Sequence, residues 1–383
     1  MNRRHLLTLL GASAAVAALP RPALAQSPVI VSRIAIVGRW VVIPTSIGGR
    51  APVPFAFDTG AELSLINPGY ARELALVSKR TTRFRGIGGV AELPLYLAPD
   101  VVLGGGIRQP SVAFAGLDRN LGGGIQGAFA AGLLTALDSD LDIEAGEWRV
   151  YPGGRPNRSG FTKLGGGIQG GTGTGSLSPR LYGDAAVNGR RLRFLLDTGA
   201  PGSLSLHERA AKTLGLWNDD RPYAPQRTSG IGGKGGMGRL VRLDHIEFGG
   251  QRFERPIALL RRDGLGQNED GIIGLQIIRH FNLSTDVANK ALWVQPHGTP
   301  ALADGYNRAG LWVEEERGRP TVIDVGNGSP AAAAGVRPGD VVVGQRLAEI
   351  IRQTSSRAGT PVTLEIERGG QRRTVNFTLA DYL

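Results

Sequence analysis

The chain contains one sequence pattern twice, once in each half. The segment TSIGGRAPVPFAFDTGA at residues 45–61 aligns with AAVNGRRLRFLLDTGA at residues 185–200. In both copies a strand pattern leads through a glycine-containing hairpin turn to an apolar strand that ends on an aspartate. A repeat of this kind predicts two similar units, each folded around an equivalent core.

Two further landmarks recur in the same order. Gly-Ile-Gly-Gly occurs at residues 86–89 and again at residues 230–233. GLLTALDSDLDIEAGEWRV, which begins at Gly132, aligns with GLQIIRHFNLSTDVANKALWV, which begins at Gly274. Three landmarks in one order predict that the halves are duplicated lobes rather than unrelated domains that share a short motif.

The first 25 residues have the pattern of an export signal. Arg3 and Arg4 precede an apolar stretch, and a small-x-small site follows at residues 23–25. The apolar stretch is shorter than the roughly 20 residues that span a bilayer, so we expect no stable membrane span after cleavage. Because the paired arginines resemble a bacterial twin-arginine signal, the expected location is periplasmic or secreted.

Composition and repeat together predict the order of segments. The stretch SGFTKLGGGIQGGTGTGSLSP between the halves has the glycine-rich composition of a flexible linker. The predicted segments are a signal peptide at 1–25, lobe 1 at 29–152, a glycine-rich linker at 153–179, lobe 2 at 180–298 and a C-terminal domain at 306–383.

The repeated aspartates, Asp58 and Asp197, are the candidate catalytic residues. A single Asp-Thr-Gly is weak evidence, because aspartate and glycine are common turn residues. Two copies in equivalent places of duplicated lobes predict that both carboxyl groups lie where the lobes meet. Carboxyl groups about 3 Å apart share one proton, so one can accept a proton while the other donates one.

The remaining composition argues against other chemistry. The chain has no cysteine, and its histidines lack the spacing of metal ligands, so we expect neither a metal nor a cofactor. Asp138, Asp140 and Asp142 have the spacing of a calcium loop, but Ile143 occupies the position where that loop requires glycine. The net charge is +11, yet the arginines are scattered and aromatic residues are few, so we expect no nucleic-acid partner.

The two Asp-Thr-Gly segments resemble those of aspartic proteases, and retropepsin-like enzymes in particular. Retroviral members build the site from two identical chains, whereas this chain resembles a fused dimer. The resemblance makes Asp58 and Asp197 the catalytic pair, with support from Thr59, Gly60, Thr198 and Gly199. It also makes the glycine-rich runs flap candidates, namely Gly86, Ile87, Gly88, Gly89, Gly230, Ile231, Gly232 and Gly233.

The resemblance implies a mainly β fold in which two duplicated lobes form a pseudo-dimeric protease. It implies an aspartic endopeptidase that hydrolyses extended polypeptide substrates. The competing hypothesis is a non-catalytic peptide-binding or scaffold protein that keeps the protease fold.

The C-terminal segment changes character after about residue 306. The run GSPAAAAGVRPGD resembles bacterial PDZ domains, which implies a small α+β domain. PDZ domains bind a chain end as an added strand, so C-terminal peptides are further expected partners. The resemblance makes Gly310, Leu311, Trp312 and Ile350 the groove candidates. A packing domain without a ligand is the alternative.

Overall fold

The computed structural model describes residues 28–86, 88–170, 177–262, 269–298 and 305–383. The signal-peptide prediction at residues 1–25 and the flap candidate Ile87 lie outside these described residues. Strands predominate among the described elements and helices are few and short, so the predicted mainly β class is confirmed. The segment boundaries given above stay predictions.

Lobe 1 is built around a sheet that has eight strands within the described residues, in the order β2-β3-β4-β9-β5-β8-β7-β6. Its elements are β1 (Ile30–Arg33), β2 (Ala35–Val37), β3 (Trp40–Ile47), β4 (Val53–Asp58), β5 (Leu65–Ile66), α1 (Pro68–Glu73), β6 (Arg80–Gly86), β7 (Gly89–Leu103), β8 (Ile107–Gly116), β9 (Gly127–Ala130), α2 (Gly132–Thr135), β10 (Asp138–Asp142) and β11 (Glu147–Tyr151). The predicted turn between β3 and β4 contains Gly48 and Gly49, both at positive φ, as a tight hairpin requires.

The segment between the lobes contains strands, which its composition does not predict. They are β12 (Thr162–Lys163) and β13 (Gly166–Gln169). Leu164 and Ile168 are buried, so the apolar residues between the glycines anchor this segment to the core. The described part of the predicted linker, residues 153–170 and 177–179, is therefore not a free tether throughout.

Lobe 2 repeats the arrangement of lobe 1. Its elements are β14 (Arg180–Val187), β15 (Arg190–Asp197), β16 (Leu204–His207), α3 (Glu208–Thr213), β17 (Ala224–Gly230), β18 (Gly233–Arg242), β19 (His245–Phe248), β20 (Gln251–Glu254), β21 (Ile257–Arg261), β22 (Gly271–Gly274), α4 (Leu275–Ile278), β23 (Phe281–Asp286) and β24 (Ala291–Pro296). The hairpin from β14 to β15 turns at Asn188 and Gly189, both at positive φ. The repeat in sequence therefore corresponds to a repeat in structure.

A shared sheet joins the lobes, with strand order β1-β11-β10-β23-β24-β12. At its centre β10 of lobe 1 pairs antiparallel with β23 of lobe 2, and Leu141 lies opposite Leu283. These leucines occupy equivalent positions of the repeat, so the approximate two-fold axis that relates the lobes passes between them. The buried core continues through both lobes and includes Phe57, which contacts Trp148 edge to face at 5.7 Å.

The C-terminal domain has its own sheet, in the order β25-β26-β27-β28-β29, and its own apolar core. Its elements are β25 (Leu311–Glu316), β26 (Arg319–Val325), α5 (Pro330–Ala333), β27 (Val341–Val343), α6 (Leu347–Thr354), β28 (Pro361–Arg368) and β29 (Gln371–Thr378). Strands β25 and β26 lie against β17 of lobe 2. Among the described residues, no helix combines the length and the apolar character that crossing a bilayer requires.

Candidate active site

The two repeated aspartates lie at the ends of equivalent strands. Asp58 ends β4 and Asp197 ends β15. Each strand is anchored by side chains that point into the core, such as Phe57 before Asp58 and Leu196 before Asp197, both nearly inaccessible to solvent. The apolar residues that predict the strands therefore also fix where the carboxyl groups emerge.

A parallel strand supports each aspartate from the side. Asp58 lies opposite Ala130 of β9, and Asp197 lies opposite Gly274 of β22. Strands β9 and β22 also pair antiparallel with β5 and β16, so each lobe forms the same three-stranded unit. In lobe 1 the Ser64 hydroxyl accepts a hydrogen bond from the Ala130 backbone N–H at 3.1 Å, a contact that no sequence motif indicates.

The threonines after the aspartates lock the lobes together. The backbone N–H of Thr59 donates to the Thr198 hydroxyl at 3.2 Å, and that of Thr198 donates to the Thr59 hydroxyl at 3.0 Å. Each hydroxyl in turn donates at 2.7 Å to a carbonyl of the opposite lobe, that of Leu196 or Phe57. Both threonines are buried. Four buried hydrogen bonds, each with a net value of about 1 kcal/mol, therefore hold the two aspartate loops in register.

The glycines of the two motifs leave room for the opposite carboxyl group. A Cβ atom on Gly60 would lie only 2.5 Å from Oδ2 of Asp197, and one on Gly199 would lie 2.7 Å from Cγ of Asp58. Real Cβ contacts are longer than this. Each carboxyl group therefore packs over the glycine of the other lobe, which places the two carboxyl groups beside each other at the junction.

The two carboxyl groups form a hydrogen-bonded pair with unequal surroundings. Burial raises the pKa of Asp58 well above its ordinary value, and the charge of Asp197 and the hydrogen bond with its side chain raise it further. Burial also raises the pKa of Asp197. Hydrogen bonds from the backbone N–H groups of Gly199 and Ala200, the hydrogen bond with Asp58 and the positive charge of Arg261 oppose that rise. The pKa values of both groups are therefore raised, as expected of two close carboxyl groups that share one proton.

Arg261 carries no sequence motif, although the structure places it near the pair. It ends the apolar strand β21 and is 3% exposed. The sequence signal for Arg261 is a charged residue at the end of an otherwise apolar strand. Among the residues that the structure describes, no three histidine, aspartate or glutamate side chains are grouped as a metal site requires.

The raised pKa of Asp58 predicts a specific dependence of stability on pH. A carboxyl group with a raised pKa stabilises the folded state below its unfolded pKa, and this contribution is lost as pH rises through the folded pKa. We expect Asp58→Asn, which resembles the protonated form, to melt at an increasingly higher temperature than the unsubstituted protein as pH rises from about 4 to about 7. Thermal melts at matched ionic strength measure the difference in melting temperature between the variant and the unsubstituted protein at each pH. Titrations of other groups affect both proteins alike and cancel in this difference. A difference that stays constant with pH would contradict a raised pKa of Asp58 in the folded protein.

The described flap candidates form the tips of two long hairpins that meet. Hairpin β6–β7 has Gly86 and Gly89 at its tip, and hairpin β17–β18 has Gly230 and Gly233. The Gly88 N–H donates to the carbonyl of Ile231 at 3.0 Å. A Cβ atom on Gly88 would lie 2.5 Å from the carbonyl carbon of Gly233, and one on Gly232 would lie equally close to that of Gly89. The tips therefore touch through backbone, which glycine allows.

The groove candidates of the C-terminal domain lie together, with one exception. A groove between β25 and α6 is lined by side chains that include Leu311, Trp312, Ile350 and Ile351. Gly310 precedes β25 at φ +73, and a Cβ atom there would lie 2.6 Å from the hydroxyl of Tyr382, so it shapes the loop rather than the lining.

Lobe 2 contributes to this groove. Gln226 of β17 lines it beside the residues of the C-terminal domain. Glu314 of β25 forms ion pairs with Arg227 and with Lys234, the latter at 3.3 Å, and accepts a hydrogen bond from the Trp312 indole at 2.8 Å. Both cations belong to hairpin β17–β18, so the C-terminal domain contacts one of the two hairpins that meet at their tips.

Comparisons with known proteins agree with this architecture. Residues 43–135 and 184–277 match the family model described as aspartyl protease, and residues 308–379 match the model described as PDZ domain. Among curated proteins, the putative protease Do-like 14 of Arabidopsis thaliana is 32% identical over 183 residues, which are 47% of this chain. The match spans 41% of that relative.

Two solved structures are also similar. The aspartic proteinase from Irpex lacteus is 13% identical, with a TM-score of 0.45, and the match covers 71% of this chain and 98% of that one. The retropepsin-like aspartic protease from Rickettsia conorii is 22% identical, with a TM-score of 0.23, and the match covers 30% of this chain and 80% of that one. The matched segments identify two aspartyl protease domains of the retropepsin-like kind, followed by a PDZ domain.

Proposed function

We propose that the protein is an aspartic endopeptidase that hydrolyses peptide bonds with a water molecule activated by Asp58 and Asp197. The observation that carries this proposal is the pair itself, two hydrogen-bonded carboxyl groups that lie side by side at the lobe junction. The proposal assigns the shared proton to Asp58, because burial, the charge of Asp197 and the hydrogen bond with its side chain all raise the pKa of Asp58. A pair that shares one proton can act as acid and base in a single step. The family match supports a peptidase, and the geometry of the pair supports the aspartic type.

The reaction follows from the two protonation states. Ionised Asp197 takes a proton from water as the water oxygen forms a bond to the peptide carbonyl carbon. Protonated Asp58 gives its proton to the carbonyl oxygen, which produces a neutral tetrahedral diol. Asp197 then passes its proton to the amide nitrogen, the C–N bond breaks, and one diol hydroxyl returns a proton to Asp58. The pair ends in its starting state, and the products are a carboxylic acid and an amine.

The joined hairpin tips support an extended substrate. A polypeptide that lies between the tips and the aspartates is bound as a strand, with its backbone paired to the hairpins. The tips must part to admit it, and their glycines allow the backbone to bend. Closure then excludes bulk water from the carboxyl pair.

A digest of an unstructured protein tests the proposal. Purified protein is incubated with denatured casein at pH values from about 3 to about 8, and mass spectrometry identifies the products. We expect cleavage at internal peptide bonds, with a rate that falls on both sides of an optimum, because protonation of Asp197 and ionisation of Asp58 each remove the active state. Products that the Asp58→Asn/Asp197→Asn double variant also generates would instead support the alternative, a peptide-binding scaffold.

We also propose that the PDZ domain recruits substrates by their C-termini. The groove between β25 and α6 is apolar along Leu311 and Ile351, and it opens beside Gln226 of a flap strand. A chain end bound there is held close to the protease lobes, which raises its effective concentration at the cleft.

The exposed groove residue Ile351 tests recruitment. It is 50% exposed, so Ile351→Asp leaves the domain core intact while it places a charge in the groove. We expect KM to rise about tenfold for a protein substrate with an apolar C-terminus, and kcat/KM for a short peptide to stay unchanged. The neighbouring exposed residue supplies the matched control, Arg352→Asp. An equal effect on the short peptide would rule out recruitment.

We propose that the protein acts in the periplasm or outside the cell. The support is the export pattern of Arg3, Arg4 and the small-x-small site at residues 23–25. N-terminal sequencing after expression in a bacterial host should find a chain that begins near Gln26 in the periplasmic or secreted fraction. An uncleaved chain confined to the cytoplasm would contradict this location.

A further inference from the structure

The two walls beside the aspartates differ in chemistry. In lobe 1 the sheet face that carries Asp58 is apolar, and its buried side chains form one cluster. That cluster consists of Val42, Ala56, Leu65, Leu93, Ala115, Ile125 and Ala128. Ile231 from the tip of the lobe 2 hairpin packs against it. This wall offers a peptide apolar contacts.

The equivalent wall of lobe 2 is apolar only in a small patch. Tyr182, Leu195 and Ile272 form that patch, at the positions that correspond to Val42, Ala56 and Ala128. Beyond it the wall carries the charged side chains of Arg193 and Arg180, where the equivalent described residues of lobe 1, Pro54 and Trp40, are uncharged. Arg193 lies on the same face of β15 as Leu195 and Asp197, because alternate residues of a strand share a face.

The charges of lobe 2 have no counterparts in lobe 1. Arg193 precedes its aspartate by the same number of residues as Pro54 in lobe 1. Arg180 begins β14, whereas Trp40 begins the equivalent strand β3. The duplication has therefore diverged at the wall while it preserved the aspartates.

The lobe 2 charges surround Tyr182. The guanidinium carbon of Arg193 lies 5.0 Å from the centroid of the tyrosine ring, and that of Arg180 lies 5.7 Å from it. Glu269 is 4% exposed and within electrostatic reach of Arg180, Arg193 and Arg261. The wall thus forms one connected group of charged side chains around an aromatic ring.

Among the described residues, the ion pairs of this group leave the Arg193 guanidinium without a hydrogen-bonded carboxylate. Arg180 forms an ion pair with Glu62 at 3.4 Å, and Arg209 forms one with Asp270 at 3.3 Å. The Asp270 carboxylate reaches the backbone N–H of Arg193 at 3.1 Å, not its guanidinium. Nε and Nη2 of Arg193 are buried and have no hydrogen-bond acceptor among the described residues.

The unsatisfied donors of Arg193 favour a negative ligand. Buried donors without an acceptor are costly, and a ligand that supplies one removes that cost. A guanidinium presents its donors as a planar fork, which a carboxylate matches with two hydrogen bonds.

We propose that Arg193 makes the cleft selective for a substrate with an acidic side chain on the lobe 2 wall and an apolar side chain on the lobe 1 wall. This inference rests on the proposed endopeptidase function and adds the class of substrate. The selectivity is asymmetric because the pocket on one side of the scissile bond differs from that on the other.

Paired peptides test the proposal by cleavage. A library that varies each position around the cleaved bond first locates the subsite, and peptides that differ only by glutamate or glutamine there are then compared. We expect kcat/KM to favour glutamate by about 10-fold to 100-fold, and Arg193→Met to remove that preference. Arg193→Lys keeps the charge but loses the fork, so it should retain part of the preference. Arg190→Met, an exposed arginine on the same strand, is the control and should behave as the unsubstituted protein.

A binding measurement separates failure of this inference from failure of the proposed function. Fluorescence anisotropy of the same labelled peptides is measured with the Asp58→Asn protein, alone and combined with Arg193→Met. Tighter binding of the glutamate peptide that Arg193→Met removes supports the selectivity, even where no cleavage is found and the endopeptidase proposal fails. Cleavage or binding without any preference for glutamate would overturn the selectivity and leave the endopeptidase proposal intact.

Discussion

Replacing either aspartate of the pair by asparagine is expected to lower kcat for peptide cleavage by about a thousandfold. An amide in place of the Asp197 carboxylate could not take the proton of the attacking water, and an amide in place of the Asp58 carboxyl group could not give a proton to the carbonyl oxygen. Since the two groups act as one unit, the double variant should be little worse than either single variant. Initial rates with an internally quenched peptide at the pH optimum measure the loss.

Asp100→Asn is the matched control for these variants. Asp100 forms a surface ion pair with Arg108, well exposed on both sides, and its positive φ suits asparagine as well as aspartate. This variant should keep the unsubstituted rate. If either single substitution at the pair left activity within tenfold of the unsubstituted protein while the fold was unchanged, a shared-proton mechanism would be excluded.

The sequence predicts that the two aspartates form a pair, because the duplication indicates both the local structure around each aspartate and the equivalence of the two lobes. The strand pattern that ends on Asp58 also ends on Asp197, so the same local rules place both carboxyl groups. The alignment of Leu141 with Leu283 predicts their equivalence, and the structure pairs them directly at the junction. Residues near the two-fold axis are therefore the part of a duplicated fold that sequence predicts best.

Composition alone predicts the inter-lobe segment poorly. Its glycines suggest a flexible tether, yet Gly166 and Gly167 adopt positive φ where their backbone lies against Tyr182 and Lys290. Glycine serves there for close approach rather than for freedom. The signal that composition obscures is the pair of apolar residues between the glycines, Leu164 and Ile168, both buried.

The sequence does not predict the contacts between the PDZ domain and the protease lobes. The repeat does not predict that the PDZ domain lies against hairpin β17–β18. The PDZ domain follows lobe 2 only, so a comparison of the two lobes gives no information about this contact. The hydroxyl of Tyr382 donates to the carbonyl of Tyr223 at 3.1 Å, a contact between residues far apart in the chain. The same limit applies to the charged wall, since Arg180 and Arg193 become neighbours only across the ring of Tyr182.

Gly60→Ala and Gly199→Ala are expected to lower kcat by at least about a hundredfold, because a shift of about 1 Å in a reacting group can cost that much. The added Cβ of Gly60→Ala would lie 2.5 Å from a carboxylate oxygen of Asp197, so the carboxyl group must move away from its partner. Stability should fall by about 1–3 kcal/mol, the usual cost of overpacking, which a thermal melt measures separately. Gly202→Ala is the control, since a Cβ atom there meets nothing within 4 Å and should change neither quantity. If Gly60→Ala matched Gly202→Ala in kcat, the carboxyl groups could not be packed over the opposite glycines during catalysis, and the proton-sharing geometry would have to arise in another way.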